Sequence, residues 1–251
     1  MTTHGRFIWY ENLTNDLKPA VDFYTDVVGW KPMPIREDFV MLAGESGPLG
    51  GVLKPKEGAA HGAAPHWTAI VAVENADATA ALAQKLGGTV RTGPYDAPSI
   101  GRSAVIADPQ GASVTILAPI NPIAPRDTIT AGDFCWNELM TSDYRAAFDF
   151  YSQLFAWKIL QDMDMGPVGT YRIFGIGEKQ LGGMMTVPKD APMPTMWIYY
   201  AEVSELEAAL ARATGNGATV MNGPMDVPGG RIAQISDPQG AVFALHQAVK
   251  R

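Results

Sequence analysis

The chain has 251 residues, of which 47% are hydrophobic, and its formal net charge at pH 7 is −7. This composition provides enough apolar surface for one large core or two small ones. The charge is spread over both halves without a cluster of Lys and Arg, so we expect no nucleic-acid partner. The single cysteine, Cys135, excludes an intrachain disulfide and a thiolate metal cluster, and it fits a reducing cytoplasm.

The apolar stretches have the length of a strand, about 7 to 9 residues, which is too short to span a membrane. The first residues of the sequence are not followed by the apolar core of a signal peptide. We therefore expect a soluble, cytoplasmic protein without a membrane partner.

The first predicted element is a strand over Arg6 to Leu13, in which alternate residues face opposite sides. One side carries Phe7, Trp9 and Glu11. A short amphipathic helix follows, capped by Asn15 or Asp16 and ended by Gly29. Three short strands come next, at Trp30 to Ile35, Phe39 to Ala43 and Leu49 to Lys54.

The same order of elements recurs along the rest of the chain. A strand at His66 to Val73 and a helix at Ala76 to Leu86 precede three strands, at Thr89 to Thr92, Gly101 to Ala107 and Ala112 to Leu117. The second half has strands at Phe134 to Met140 and Thr195 to Val203, and helices at Tyr144 to Phe155 and Leu206 to Thr214. The pattern predicts four βαβββ units.

The two halves are copies of each other. Residues of the first half recur 127 positions later without a gap (134 − 7 and 158 − 31); they are Phe7, Trp9, Glu11, Asp16, Phe23, Tyr24, Trp30 and Lys31. The sequence Asp108-Pro109-Gln110-Gly111 recurs as Asp237-Pro238-Gln239-Gly240. We therefore predict two domains, residues 1–118 and 131–251, joined by a semi-extended, Pro-rich linker at 119–130.

These shared motifs resemble the vicinal oxygen chelate superfamily, which includes glyoxalase I, bleomycin-resistance proteins and extradiol dioxygenases. The resemblance rests on Asp22-Phe23-Tyr24, on Gly29-Trp30 and on the two Asp-Pro-Gln-Gly sequences, and it covers nearly the whole chain. It implies an α+β fold of two tandem domains, in which each pair of βαβββ units forms a curved, half-barrel mixed sheet around a cavity. A resemblance of this kind predicts fold better than function.

Metal-dependent members of the superfamily hold a divalent ion with His, Gln or Glu at four inward strand positions. Counting from the shared motifs, the first position lies fifteen residues before the helix tyrosine (24 − 15 and 151 − 15). The corresponding residues here are Trp9, Gly50 or Gly51, Thr68 and Thr115 in the first copy, and Trp136, Gly182 or Gly183, Ile198 and Ala244 in the second. We therefore expect no metal at this site and no other cofactor.

Glu11 and Glu138 are the candidate catalytic residues, because the alternation of each strand places them beside Trp9 and Trp136 in the predicted cavities. Burial is expected to raise the pKa of either carboxyl toward the range of a general base. The alternative is a structural carboxylate that accepts hydrogen bonds from backbone or arginine.

Several residues are candidate ligand-binding groups. Trp9, Trp136, Trp67 and Trp197 could be stacking walls for a planar ligand or ordinary core residues. Thr68 and Met196 belong to the same predicted cavity strands, and the methionines of the second half suit a permissive pocket. The glycine pairs at 50–51 and 182–183 allow a ligand to approach backbone or mark a bulge. Arg102 and Arg231 attract an anionic group or pair with Asp96 and Asp226.

His66 and His246 complete the set of candidate ligand-binding residues. His66 with Glu11, or His246 with Glu138, could hold a displaced divalent metal, although two ligands are too few for secure binding. A hydrogen-bonded or rim histidine is the alternative.

Three functions remain open at this point. The first is binding of a small apolar or aromatic molecule without the usual metal. The second is a glyoxalase-related lyase, isomerase or hydroxylase with Glu11 or Glu138 as general base, with or without assistance from a metal. The third, implied by the resemblance to bleomycin-resistance proteins, is drug sequestration without turnover. Each function predicts a small-molecule partner and a monomer or homodimer.

Overall fold

The computed structural model describes residues 3–55, 64–121, 123, 128–188 and 193–249. The elements of the first repeat are β1 (Phe7–Leu13), α1 (Leu17–Val28), β2 (Lys31–Arg36), β3 (Phe39–Gly44), β4 (Gly47–Leu53), β5 (His66–Ala72), α2 (Ala76–Lys85), β6 (Thr89–Ala97), β7 (Gly101–Ala107) and β8 (Ser113–Pro119).

The second repeat has the same order of elements. They are β9 (Phe134–Thr141), α3 (Tyr144–Phe155), β10 (Lys158–Asp164), β11 (Thr170–Ile176), β12 (Lys179–Thr186), β13 (Met196–Glu202), α4 (Leu206–Gly215), β14 (Thr219–Val227), β15 (Gly230–Ser236) and β16 (Val242–Ala248). A 3-10 turn, Gly166–Val168, lies between β10 and β11. Among the described residues, none of these helices has the length and apolarity needed to cross a membrane.

Each repeat forms one open, curved, mixed sheet of eight strands. The strand order is β2-β3-β4-β1-β5-β8-β7-β6 in the first sheet and β10-β11-β12-β9-β13-β16-β15-β14 in the second. The first and last strands of each βαβββ unit pair in parallel, as in β1 with β4 and β5 with β8, and the other pairs within a unit are antiparallel. The predicted α+β fold of tandem βαβββ pairs is therefore confirmed.

One predicted strand is too short. The predicted strand ends at Thr92, two residues before Pro94, which lacks the N–H that a ladder needs. In the structure β6 continues to Ala97, since the register shifts between Thr92 and Tyr95 and the chain rejoins β7 after the proline. A bulge of this kind lets a strand pass a residue that cannot donate.

The chain divides into two compact units, and each unit takes residues from both repeats. Unit 1 consists of the described residues within Met1–Trp9, Thr68–Arg126 and Asn137–Trp197, and unit 2 of those within Tyr10–Trp67, Asp127–Trp136 and Ile198–Arg251. This division follows proximity in space, so the boundaries 1–118, 119–130 and 131–251 stay a prediction. Residues 122 and 124–127 of the predicted linker lie outside the described residues.

The core of each unit is an aromatic cluster built from the shared motifs. In unit 2 the cluster contains Tyr24, Trp30, Trp67, Phe134 and Phe243. In unit 1 it contains Phe7, Tyr151, Trp157, Phe174 and Trp197. Tilted and edge-to-face contacts of this kind add to the stabilisation that apolar burial provides.

A buried tyrosine of helix α1 connects the two repeats within unit 2. The Tyr24 hydroxyl donates to Asp237 Oδ2 at 2.8 Å and accepts from Trp67 Nε1 at 2.7 Å. The other carboxylate oxygen of Asp237 accepts from the backbone N–H groups of Gln239 and Ala241. The helix tyrosine of one repeat and the Asp-Pro-Gln-Gly turn of the other therefore form one hydrogen-bonded group.

Unit 1 contains the reciprocal arrangement. The Tyr151 hydroxyl accepts from Trp197 Nε1 at 3.2 Å and donates to the backbone oxygen of Ala112 at 3.3 Å, inside the turn held by Asp108. Burial raises the pKa of the Asp108 carboxyl, and hydrogen bonds from backbone N–H groups and Tyr151 oppose that effect.

The tryptophan that follows each first helix makes a second reciprocal contact. Trp30 Nε1 donates to the backbone oxygen of Gly132 at 2.6 Å in unit 2, and Trp157 Nε1 donates to Gly5 at 2.7 Å in unit 1. Gly5 and Gly132 have φ angles of 79° and 88°, which residues with a Cβ rarely adopt. The repeated Trp thus fixes the chain just before the first strand of the other repeat.

Candidate functional site

Glu138 lies on one face of β9 with a tyrosine beside it. Its register partner in the parallel ladder is Gly183 of β12, and Glu138 is only 7% exposed. A Cβ at Gly183 would collide with the ring and hydroxyl oxygen of Tyr171, so this ring lies directly against the β12 backbone. The Tyr171 hydroxyl lies over Gly183, and Glu138 is the partner of Gly183 on the neighbouring strand, about 4.8 Å away. The hydroxyl and Glu138 are therefore neighbours on the same face of the sheet.

Methionines border this tyrosine on both neighbouring strands. Tyr171 pairs with Met163 of β10 and with Met185 of β12, and both methionines are half-buried. Directly paired residues project from the same side of a sheet. We call this surface of unit 1, formed by Glu138, Tyr171, Gly183, Met163 and Met185, the Glu138 face. It combines one carboxylate and one phenol with adaptable apolar groups.

The first repeat has the same arrangement with less polar residues. Glu11 pairs with Gly51, and a Cβ at Gly51 would collide with the ring of Phe39. Phe39 in turn pairs with Leu53. The phenylalanine occupies the place of Tyr171 and the leucine that of Met185, so the phenol hydroxyl belongs to the second repeat.

The rings of Phe39 and Tyr171 bear on the role of the glycine pairs at 50–51 and 182–183. They fill the space over Gly51 and Gly183, which at these two glycines favours a structural role over approach of a ligand to the backbone. Register shifts occur in the neighbouring ladders, between Leu42 and Ala43 and between Phe174 and Gly175. The glycines therefore allow aromatic rings to pack on the sheet next to a bulge.

Comparison with known families agrees with this architecture. The profile of the Glyoxalase/Bleomycin resistance protein/Dioxygenase superfamily matches residues 6–116 and 133–245. The chain belongs to this superfamily. Each matched segment covers one repeat, so the predicted family is confirmed for both copies.

Two proteins of similar sequence carry names that indicate different functions. A Mycobacterium tuberculosis protein named "Putative glyoxylase CFP32" is 31% identical over 94% of this chain and 92% of its own length. The anthracycline biosynthesis protein DnrV of Streptomyces peucetius is 27% identical over 96% of this chain and 92% of its own length.

Solved structures show the same fold at low identity. The Mn(II)-bound glyoxalase from Novosphingobium aromaticivorans has a TM-score of 0.68 and 14% identity, over 100% of this chain and 84% of its own. The 2,3-dioxygenase LapB from Pseudomonas sp. KL28 has a TM-score of 0.67 and 14% identity, over 100% of this chain and 94% of its own.

The residues at the usual metal positions of the superfamily do not fit a metal ion. Thr68 and Thr115 are buried, and Ile198 and Ala244 have no exposed surface. An aliphatic side chain offers no donor atom, and divalent ions in proteins are held by carboxylate, imidazole or thiolate groups. We therefore derive no chemistry from a metal at these positions.

The predicted tryptophan walls divide into two kinds. Trp67 and Trp197 are 5% and 4% exposed, and their indole N–H groups donate to Tyr24 and Tyr151. This placement favours core packing over contact with a ligand. Trp9 and Trp136, like Met196, are half-buried, so their predicted ligand-binding role stays a prediction.

The two predicted arginines form surface ion pairs. Arg102 contacts Asp77 at 3.0 Å and Asp96 at 3.1 Å. Arg231 contacts Glu207 at 2.8 Å and Asp226 at 3.3 Å. The ion pairs with Asp96 and Asp226 are confirmed, and two carboxylates per guanidinium disfavour the alternative, an anion site.

The two predicted histidines have different partners. His66 Nδ1 lies 2.8 Å from the backbone oxygen of Ala64, in an exposed hydrogen bond. His246 Nδ1 lies 2.5 Å from Glu202 Oε2, inside unit 2. The sequence-based hypothesis paired these histidines with Glu11 and Glu138 and did not consider Glu202.

Cys135 lies next to the same carboxylate. Its thiol donates to the backbone oxygen of Tyr200 at 3.4 Å. Burial raises the pKa of the Cys135 thiol well above its ordinary value, and the Glu202 carboxylate raises it further. The sulfur is therefore protonated at neutral pH in the structure as it stands, and a thiol in this state is a poor nucleophile.

Sequence reasoning missed three polar residues of the second repeat, namely Tyr171, Cys135 and Glu202. Each corresponds to an apolar residue of the first repeat, as Tyr171 does to Phe39. A residue-by-residue comparison of the repeats for polar differences, and not only for shared motifs, is the signal that could have found them.

Proposed function

We propose that this superfamily member binds a small aromatic or apolar molecule on the Glu138 face. The observation that carries the proposal is a carboxylate with 7% exposure beside a phenol hydroxyl, bordered by half-buried methionines. Small-molecule sites are mostly apolar and contain a few converging polar groups that orient the ligand. Glu138 accepts a hydrogen bond from a ligand hydroxyl, and Tyr171 donates to a ligand carbonyl.

The names of two relatives support an aromatic ligand. DnrV and DauV are called anthracycline biosynthesis proteins and are 27% and 26% identical to this chain over 96% of its length. Anthracyclines contain fused rings that carry hydroxyl and carbonyl groups, which are the groups that a carboxylate and a phenol recognise. The thioethers of Met163 and Met185 adapt to the flat apolar surface of such rings.

Titration with the hydroxyanthraquinone quinizarin tests the proposal. Isothermal titration calorimetry of the full chain should show saturable binding that Glu138→Gln weakens about 10- to 100-fold, because a hydrogen bond to a charged group contributes about 1.5–3 kcal/mol. Tyr171→Phe, which introduces the residue of the first repeat, should weaken binding about 2- to 10-fold.

Glu11→Gln is the matched control for this titration. It makes the same chemical change on the corresponding face of the first repeat, and affinity should stay at the wild-type value. Wild-type affinity in Glu138→Gln, or equal losses in Glu11→Gln and Glu138→Gln, would contradict binding at the Glu138 face.

The pairing of Glu138 with Tyr171 also favours a second function, proton transfer next to a carbonyl. Glu138 removes the proton from carbon, the electron pair moves to the carbonyl oxygen, and Tyr171 donates a hydrogen bond to that oxygen. Return of the proton at a different carbon completes an isomerisation.

Deuterium exchange separates the two functions. In D₂O with a saturating aromatic hydroxyketone, NMR should show loss of the α-proton signal for the wild type and no loss for Glu138→Gln. Binding without any exchange in the wild type supports the binding function and excludes proton transfer for that ligand.

A further inference from the structure

Three neighbouring strands of the second sheet each contribute one metal-ligating side chain to a single cluster. Cys135 lies on β9, Glu202 on β13 and His246 on β16, and these strands are adjacent in the order β9-β13-β16. Glu202 and His246 are register partners in the parallel ladder. One ligand atom from each residue lies within 4.8 Å of the others, in a part of the chain that belongs to unit 2.

The carboxylate of this cluster is fixed from two sides. Glu202 Oε2 lies 2.5 Å from His246 Nδ1, and Glu202 Oε1 accepts from the backbone N–H of Ala248 at 2.8 Å. All three side chains are half-buried, so they are ordered by the sheet and still accessible to a small ion.

A glycine lies against the imidazole of this cluster. Gly230 opens β15, next to β16, and a Cβ there would collide with the backbone oxygen of Gln247 and lie 2.6 Å from His246 Nε2. The backbone of β16 therefore requires glycine at this position, as the backbone of β8 does at Gly101 of the first repeat. The absence of a side chain at position 230 also leaves room for the His246 ring.

The first repeat shows that the fold does not require these polar groups. The residues at the same places are Ile8 (135 − 127), Ala72 and Leu117, and Ala72 pairs with Leu117 as Glu202 pairs with His246. The duplicated fold thus accepts apolar side chains at all three positions. The second repeat carries a thiol, a carboxylate and an imidazole where packing alone needs none.

We propose that Cys135, Glu202 and His246 bind a divalent ion of the zinc type. A sulfur, an oxygen and a nitrogen donor match the ligand set of Zn²⁺, whereas Mg²⁺ and Ca²⁺ require oxygen ligands. Three protein ligands leave a fourth tetrahedral position for water or another small ligand. The site shares no residue with the Glu138 face or with the usual metal positions of the superfamily, so it goes beyond the proposed function.

Cobalt and zinc titrations of the full, chelator-treated chain test this proposal. Because Cys135 is the only cysteine, a sulfur-to-cobalt charge-transfer band in the ultraviolet reports binding at this sulfur. We expect one Co²⁺ per chain with this band, displacement by Zn²⁺, and loss of the band in Cys135→Ser. Zn²⁺ affinity, measured against a chromophoric chelator, should fall at least about 10-fold in His246→Leu, as for loss of a ligand or its support.

The triple variant Cys135→Ile, Glu202→Ala, His246→Leu is the matched control, because it copies the first repeat. It should fold, retain quinizarin binding and bind no zinc at this affinity, so its result is independent of the Glu138 face. A missing charge-transfer band, or wild-type zinc affinity in the triple variant, would overturn the proposal.

Discussion

Single hydrogen bonds differ between the two repeats even where the residues are the same. The Tyr24 hydroxyl donates to the Asp237 carboxylate at 2.8 Å and accepts from Trp67 at 2.7 Å. The Tyr151 hydroxyl donates to the backbone oxygen of Ala112 at 3.3 Å, accepts from Trp197 at 3.2 Å and also interacts with Asp108. Burial raises the pKa of Tyr24 well above its ordinary value, and the Asp237 carboxylate raises it further, so this hydroxyl stays a donor at all relevant pH values.

Tyr24→Phe should therefore be the more costly of the two Tyr→Phe changes. It leaves the buried Asp237 oxygen without this donor, and we expect a loss of about 1–3 kcal/mol in the free energy of unfolding. Tyr151→Phe should cost less, because the hydrogen bonds of Tyr151 with Ala112 and Trp197 are longer than those of Tyr24 with Asp237 and Trp67. Urea unfolding measures both, with the exposed Tyr95→Phe as control, and a larger loss in Tyr151→Phe than in Tyr24→Phe would refute the ranking.

Asp108 and Asp162 should change the free energy of unfolding in opposite directions as pH rises. The pKa of Asp108 is raised by burial above the ordinary value of 3.8, so its ionisation destabilises the fold as pH rises through that raised pKa. The pKa of Asp162 is lowered by its hydrogen bonds to Arg172, so its stabilisation is present above pH 3.8 and is lost as pH falls through the lowered pKa.

The variants Asp108→Asn and Asp162→Asn test these signs. Relative to wild type, Asp108→Asn should gain stability between acidic and neutral pH, and Asp162→Asn should lose stability over the same change. Urea unfolding at a series of pH values checks both. If both variants lost stability relative to wild type as pH rose, burial would not raise the pKa of Asp108.

At this scale the sequence identifies residues better than it identifies their partners. The helix tyrosines and the Asp-Pro-Gln-Gly turns stand out as repeated motifs, and they do form hydrogen-bonded groups. Their pairing across repeats, Tyr24 with Asp237, cannot be read from a constant offset, because an offset contains no information about which copies meet in space.

Helix α1 and helix α3 start at equivalent aspartates that act differently. Asp143 accepts from the backbone N–H groups of Arg145 and Ala146 at 3.0 and 3.1 Å, whereas the Asp16 side chain makes no capping hydrogen bond. Gln239 holds the start of α1 instead, because its side-chain oxygen accepts from Thr14 and from the Asp16 N–H, and its amide donates to the Asp16 carbonyl.

Alanine substitution should separate these two helix starts. Asp143→Ala removes a capping side chain and should cost about 1 kcal/mol of unfolding free energy. Asp16→Ala should lower the unfolding free energy by only about a few tenths of a kcal/mol, because no side-chain cap is lost. If thermal or urea unfolding shows equal losses for the two variants, the difference in capping has no energetic consequence.

Element order and type follow from periodicity, and element details follow from packing. Alternation and helical spacing predict all four βαβββ units, because a half-buried strand and an amphipathic helix have different periods. Alternation predicts one buried face for β1. Phe7 and Tyr10 are three positions apart and therefore point to opposite faces, yet both contact buried aromatic residues. Alternation also does not predict the Glu138 face, because it cannot show that the Tyr171 ring covers Gly183 of the neighbouring strand.

The whole molecule consists of two compact units that each need both repeats. In unit 2 the guanidinium of Arg212 on α4 donates to the carbonyls of Asp26 and Val27 at the end of α1. Those carbonyls lack helical partners, so a residue of the second repeat completes a helix of the first. The duplication evident in the sequence predicts two domains but cannot show this exchange of parts.

Separate expression of residues 1–118 and 131–251 tests the dependence of each unit on both repeats. Neither fragment should fold as a monomer with wild-type cooperativity, because each lacks part of both aromatic cores. Mixing the fragments should restore near-ultraviolet circular dichroism. A monomeric fragment that unfolds cooperatively on its own would show that one repeat is sufficient.

The reciprocal Trp bonds to Gly132 and Gly5 also constrain how such genes can recombine. A chimaera that exchanges one whole repeat for that of a distant relative breaks contacts in both units at once. Crossovers near residues 9, 67, 126, 136 and 197, where the chain passes from one unit to the other, keep every aromatic core with its native neighbours. Crossover sites for libraries from this superfamily should therefore lie inside the repeats as well as at their junction.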